Sequence, residues 1–557
     1  MKYLLIVESP SKCRSIEKYA NESNVSIDGV QIKFKCVATR GHIVSLNTPK
    51  QVDASTLPHQ IPSYSILKHQ YKTKSMLNSE ISKCNRVIIA TDDDREGEFI
   101  AWQICFLFKI PMNTTSRIRF HEITKRAIQT ALDEIDIGTI NMNMVYSSMS
   151  RQWMDYCIGY MLSPYLWKYV GAYALSCGRC QTPALELIYQ NENAIYGKKK
   201  GVQYAIQGFF QNGLHATIPI SESLFESHFM RRFFESSLHY KHQVEHISST
   251  LKTIPPPKPY ITSTLQQDMY SRHQFSPKYC MQLAQKLYES GYITYMRTDS
   301  HQLSTSIQYS IKGYIEKHYG KQYTREIRQN RISVSSKTNS QNAHECIRPT
   351  NIHTTQIKTS SQHTSSLQLL YKDIHTRTIQ SMMISSTQTD LSFRISSPWR
   401  DLINNMDDSI KPKEIDYVGI VNQVIESGWK RAFGKSGRDG NEDLEANNAY
   451  KYVKNTNNNE IIPLSIQTKV NTGRSIRLGI HTWLREIEKS GFGRPSTYSN
   501  MIDKVIDRGY VVMGDKTGEK KQVKHLDVSF SDLGSDLGST SNAIRNDRIE
   551  IVHIGEE

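Results

Sequence analysis

Uninterrupted apolar runs punctuate the first part of the chain. Residues 3–7 (YLLIV) and 87–90 (VIIA) contain no charged side chain, and Tyr3 carries their one polar group. Runs this short and this apolar predict strands covered on both faces, as in a parallel sheet. The first run closes on Glu8, after which Ser9-Pro10-Ser11 suits a helix start. The second leads toward an amphipathic helix predicted over 99–108. Residues 146–168 read as a helix, with Trp153, Met154, Cys157, Met161 and Leu162 available for packing. Residues 200–255 read as short mixed strands, and the proline-rich 255–259 as a linker. Cys280, Leu283, Ala284 and Leu287 fall on one helical face. Gly291 suits the left-handed turn after that helix, and Tyr292 to Tyr295 read as a short strand. Residues 351–415, dense in Ser, Thr and Gln, predict loop and a polar helix over about 365–383. Residues 428–436 read as a strand and a basic loop, 436–462 as a Gly/Asn/Asp-rich connection, and 529–541 as disordered.

Composition narrows the class. A chain of 557 residues has room for about three to five domains. Its formal charge of +15 favours a polyanionic partner. No run reaches 18 apolar residues, so no membrane span is expected. The N-terminal apolar run is too short for a signal peptide. Nine scattered cysteines fit a reducing compartment. Cys177 and Cys180 form a CxxC without a second pair to complete a zinc site, and read as packing residues. The stretch Gly428 to Ser436 has five residues between its glycines and aromatic bulk where a phosphate loop needs none, so no nucleotide cofactor is expected.

The chemistry concentrates in two places. Five acids, Asp92, Asp93, Asp94, Glu96 and Glu98, crowd into seven residues directly after the second buried strand. That is where α/β sheets place ligands. A hard divalent cation such as Mg²⁺ would relieve the repulsion, and a solvated loop is the other reading. Glu8 ends the first strand in the same way. The second place is Tyr295 with Arg297. A phenol facing a groove can attack a phosphodiester while the guanidinium neutralises the developing charge; a buried Tyr beside a surface Arg is the alternative. His42 on its own is an ordinary turn histidine, and His344-Glu345 on its own an ordinary structural pair.

The segment YESGYITYMRTDS at 288–300 resembles the active site of type IA DNA topoisomerases, in the bacterial topoisomerase I branch. LLIVESPSKCRSIEKY is similar to the first Toprim motif, and DDDREGE to the Toprim DxDxE motif. Residues 38–46 and 120–124 resemble further markers of the same family, 341–349 its HEAIRP motif, and 491–511 its second groove segment. The resemblance implies that Tyr295 becomes linked to a DNA 5′-phosphate, assisted by Arg297 and His344. It makes Glu8 the proton-transfer residue and Lys12 a phosphate contact. It assigns Mg²⁺ to Asp92, Asp94 and Glu96 with Glu8, and leaves Asp93 variable and Glu98 behind the ligands. The DNA contacts it implies are His42, Arg151, Gln152, Asp155, Tyr160, Trp167, Ser176, Arg179, Gln181, Arg494 and Arg508, with Ser496 and Thr497 beside Arg494 at a helix start. Gln152 departs from the arginine usual in bacterial relatives, which leaves base preference open.

The implied fold is multidomain α/β and α+β. A Toprim α/β domain at 1–140 joins a helical groove domain (141–198 and 465–522) and a β-rich arch (199–258 and 384–464). A helical domain at 259–383 carries Tyr295, and the four close a toroidal core. A polar tail without zinc ribbons follows at 523–557. The implied activity is ATP-independent cleavage of one strand, passage of the other and religation, which relaxes negatively supercoiled DNA through an unpaired segment. The implied protein is a monomer working with the DNA inside the cell. A topoisomerase III-like decatenase, a Toprim nuclease or primase, and a non-catalytic single-strand binder are the alternatives.

Overall fold

In a computed structural model of the protein, Lys2–Val7 lies in the interior of a five-stranded sheet. The structure describes the chain except residues 24, 28–29, 48–61, 138–139, 172, 174, 198–201, 238, 328–344, 359–363, 409–410, 434–438, 457, 473–476, 515–518, 526, 531–542, 546–547 and 555–557. Strand order is Lys33–Ala38, Lys2–Val7, Arg86–Ile89, Ser116–Arg117, Asp136–Ile137. The first three joins are parallel and the last antiparallel. Helices Pro10–Asn21 and Arg95–Phe108 follow the two apolar strands, so both strands are covered on each face. This places Glu8 and Asp92 at the carboxyl ends of neighbouring strands.

The arch is a nine-stranded sheet. Its order is Asn459–Ile461, His242–Ile254, Ser386–Ile395, Tyr417–Glu426, Leu214–Ile220, Val202–Phe210, Pro463–Thr472, Asp527–Phe530, Ala543–Arg545. Several sequence expectations are corrected here. The strands in 200–255 are long, reaching 13 residues in His242–Ile254, and two short helices interrupt them. The sheet extends to Thr472, past the boundary expected at 464. The connection expected over 436–462 contains the helix Asp439–Lys454, because Ala449, Tyr450 and Val453 bury into the arch core and override the poor helix propensity of Gly and Asn. Gly428–Phe433 is a 3₁₀ helix rather than a basic loop. In the polar tail, Asp527–Phe530 joins the arch sheet, and Glu519–His525 pairs with Arg548–Ile554. Most of the segment expected to be disordered lies outside the described residues; Ser529 and Phe530 are in a strand.

The groove helix Met142–Val170 runs 29 residues, with only Val145, Ser148 and Ser163 buried. Met154 and Leu162, expected to pack, are exposed. Helix Gln181–Gly197 packs on Ile480–Lys489 and Tyr498–Asp507 around Trp483 and Leu484. The remaining domain packs Thr262–His273, Pro277–Glu289 and Thr364–Ser381 directly onto the five-stranded sheet's domain. One apolar core runs through both, from Leu5, Val7 and Ile16 to Leu283, Leu287, Tyr288 and Tyr371.

Candidate active site

Gly291 closes the helix Pro277–Glu289 at φ +75°, and a side chain there would strike the Ile123 carbonyl 2.6 Å away. The chain then delivers Tyr295, but not on a strand. The Thr294 N–H donates to the Arg348 carbonyl at 2.9 Å and the Tyr295 N–H to the His121 carbonyl at 2.8 Å. Backbone groups one residue apart thus serve two different segments, and only an isolated bridge, Ile293 to Pro349, forms.

Tyr295 is 4% exposed, and its hydroxyl donates to Asp94 Oδ2 at 2.6 Å. Arg297 Nη1 lies 3.6 Å from the same oxygen. Asp94 spends its other oxygen on the Gly97 N–H at 2.8 Å, capping the helix that follows. Gly97 is required there, because a Cβ would sit 2.0 Å from the Asp92 carbonyl and 2.9 Å from Glu8 Oε1. Lys12 is 1% exposed, bonds Asp92 Oδ1 at 2.5 Å and stands 5.1 Å from the Tyr288 ring centre. Burial opposes its charge, but Asp92 and Glu8 outweigh that and hold its pKa above the ordinary value. Glu8 accepts from the Asp92 N–H at 3.0 Å. Burial, then repulsion from Asp92 and Asp94, pushes the Glu8 carboxyl up to about 8, so it is protonated at neutral pH. Burial and Asp94 also hold the Tyr295 phenol well above its usual range, with Arg297 opposing.

Glu96 does not join these acids. It bonds His42 at 2.9 Å and pairs with Arg151. Burial works against its charge, yet these two partners drive its pKa down to about 2. Glu98 is fully buried against Arg117 at 3.1 Å, behind the site. Asp93 pairs with Arg119 at 3.5 Å and His121 at 3.7 Å. Among the described residues no three acids, histidines or cysteines gather around one point. Mg²⁺, however, is commonly held by one or two carboxylates with waters and phosphate. The all-oxygen set of Asp92 and Asp94, with Glu8 close enough to be raised by both, fits such an ion; Glu96 is committed elsewhere.

A cleft of about 680 Å³ leads from Glu8, His42, Glu96 and Arg297 along Arg151, Asp155, Ser176, Arg179 and Gln181 to Arg508. Within it Arg179 pairs with Asp155 at 2.9 Å, and Gln181 donates to the Ser176 carbonyl at 2.6 Å and accepts from Arg508 at 3.3 Å. Arg494 lines an adjoining cavity of about 390 Å³ with Asp94 and Arg297. It forms a turn closed by Thr497, and the helix beyond starts only at Tyr498. Tyr160 and Trp167 are exposed on the groove helix, the indole donating to the Leu175 carbonyl at 2.7 Å. Gln152 is half-buried and outside the cleft lining. His344 lies outside the described residues. Cys177 and Cys180 line the cleft, although Cys180 also touches the Trp483 core.

The sequence reading missed Arg95, Arg117, Arg119, Tyr288 and Lys504. The alternation of Arg117 and Arg119 around buried Ile118 was a signal, since period two sends both toward the acidic turn. Arg95, within the acidic motif, borders the smaller cavity, and Lys504 the larger.

The DNA topoisomerase family profile matches residues 139–524, and that of the Toprim domain residues 3–123. The chain belongs to the type IA DNA topoisomerases. DNA topoisomerase 1 of Aquifex aeolicus (strain VF5) is 31% identical over 535 residues, covering 95% of this chain and 89% of that protein. DNA topoisomerase 1 of Buchnera aphidicola subsp. Acyrthosiphon pisum is 31% identical over 573 residues, and the chain spans 62% of its length. Full-length topoisomerase I from Thermotoga maritima superposes with a TM-score of 0.70 at 27% identity, covering 92% of this chain and 79% of that one. Type IA membership accounts for the Toprim domain and the core built around it, and makes the protein an isomerase acting on DNA.

Proposed function

We propose that this type IA topoisomerase cleaves one DNA strand through a 5′-phosphotyrosine at Tyr295, passes the other strand and reseals, relaxing negatively supercoiled DNA without ATP. The observation that carries the reading is the meeting of Tyr295, Arg297, Asp94, Glu8 and Lys12 at one end of a basic cleft. Asp94 accepts the phenol proton as Tyr295 attacks phosphorus, and Arg297 offsets charge on the transferring phosphoryl. Glu8, protonated at neutral pH, donates to the departing 3′-oxygen and recovers that proton on resealing. Lys12, held between Asp92 and Tyr288, positions Asp92 beside Glu8. When bound, Mg²⁺ would be held by Asp92 and Asp94 with Glu8 and would supply positive charge to a DNA phosphate. The phosphotyrosine conserves the bond energy, so no nucleotide is consumed.

Arg151, Arg179, Arg494 and Arg508 neutralise the backbone of an unpaired strand, and Tyr160 and Trp167 stack on its bases. The reading takes the protein as a monomer working wherever the DNA is. The test is a nucleotide-free time course on plasmids of both signs. Negatively supercoiled plasmid relaxes incompletely and chelator stops it. Prompt relaxation of intact, positively supercoiled plasmid would sink the single-strand mechanism.

A further inference from the structure

The proposed function leaves the Cys177-x-x-Cys180 motif unused. Both thiols are free and half-buried, and both line the same cleft as Arg151, Arg179 and Arg508. Cys180 also borders the cavity beside Asp94 and Arg297. The bonds nearest them open the helix Gln181–Gly197: the Thr182 N–H donates to the Gly178 carbonyl at 3.0 Å and the Gly178 N–H to Thr182 Oγ1 at 3.1 Å, a turn that holds Arg179 and Cys180. The Cys-x-x-Cys spacing is one at which paired thiols exchange with a disulfide, whose Cα atoms stand roughly 4.4–6.8 Å apart. Cys177 Sγ meets Thr182 Oγ1 at 3.3 Å.

This turn is also a junction. The Cys177 N–H donates to Ser163 Oγ on the groove helix at 3.1 Å, and the Ser176 N–H donates to the Tyr510 hydroxyl at 2.6 Å. Arg179, between the cysteines, holds Asp155, and Gln181, just after them, receives Arg508.

We propose that Cys177 and Cys180 form an oxidisable dithiol in the wall of the DNA cleft, and that its closure to a disulfide by a peroxide weakens DNA binding. The inference rests on reading the cleft as the DNA site. One thiol attacks the peroxide O–O bond, giving a sulfenic acid and water; the second displaces a further water and forms the S–S bond. In sum two thiols and one hydrogen peroxide become one disulfide and two waters, and an added dithiol reverses the change. Bonding the sulfurs pulls Cys177 from Thr182 and displaces the turn that carries Arg179.

The test treats the full chain with hydrogen peroxide, locates disulfides by peptide mapping and measures labelled single-stranded oligonucleotide binding by anisotropy. Mapping is needed because Cys13 and Cys36 lie in hydrogen-bonding contact elsewhere in the chain. The expected result is a 177–180 disulfide, at least about a fivefold loss of affinity, and recovery with dithiothreitol. Cys177→Ser and Cys180→Ser, each compared with itself before treatment, lose the response, and Cys177→Ala serves if a serine variant fails to fold. Absence of the 177–180 disulfide, its formation with affinity unchanged, or equal peroxide sensitivity in the single variants overturns the proposal. Relaxation by the untreated protein reads the DNA function separately, so the two failures are distinguishable.

Discussion

The pocket around Tyr295 and the groove along Met142–Val170 solve opposite problems with the same kinds of side chain. In the pocket, Lys12, Asp92, Asp94 and Tyr295 are each less than 10% exposed, and each is held by a neighbour. On the helix Met142–Val170, Tyr160, Tyr165, Trp167 and Tyr169 stand at 36–73% exposure, and aromatic rings stack on one another along it, Tyr156 on Tyr160 at 4.8 Å. Bond making needs groups fixed before the substrate arrives, since misplacement by an ångström is costly. Holding a flexible strand of arbitrary sequence needs surfaces that any base can cover. Rigidity serves the first and exposure the second.

Substitutions test that division. Tyr295→Phe abolishes covalent adducts on end-labelled single-stranded DNA while leaving binding intact; an adduct in that variant moves the nucleophile elsewhere. Arg297→Ala slows cleavage about a hundredfold, from loss of about 3 kcal/mol of charge stabilisation, read in single-turnover assays. Glu8 gives a pH signature. Its carboxyl is raised to about 8 by burial, Asp92 and Asp94, so it is able to donate below that pH and not above. Cleavage without divalent cation therefore falls about tenfold per pH unit above that value, and Glu8→Gln removes the dependence. A flat wild-type profile would remove Glu8 as proton donor. Smallest is Tyr160→Ala, which weakens oligonucleotide binding about fivefold, the lower end of a stacking contribution. Its cleavage rate at saturating DNA is unchanged; a slowed rate there would join groove and pocket into one machine.

The parts legible in the sequence were those governed by local pattern. Two apolar runs, each closed by a carboxylate, marked neighbouring strands and brought Glu8 to Asp92. Gly291 marked the turn that delivers Tyr295. What escaped depends on distant partners. Residues 292–295 have strand composition but bond to two separate segments. The helix Asp439–Lys454 exists because the arch core receives Tyr450 and Val453. Glu96 matches a ligand motif, yet His42 and Arg151, 54 and 55 residues away, take its oxygens.

The arch is joined to its neighbours by paired crossings. At one end the chain enters on Val202–Phe210 and leaves on Pro463–Thr472, and Val202 lies opposite Thr472. At the other it leaves on His242–Ile254 and returns on Ser386–Ile395, with Ile254 opposite Ser386. At each end the entering and leaving strands run as one ribbon, laced by hydrogen bonds up to the point where the chain departs. Such a ribbon flexes across its flat face far more readily than it shears in its plane or turns about its length. In the proposed strand passage, a gate hung on these ribbons would swing along one arc. The broken DNA end that the proposed mechanism carries on Tyr295 would then return by the path it left, in register with the hydroxyl it must rejoin.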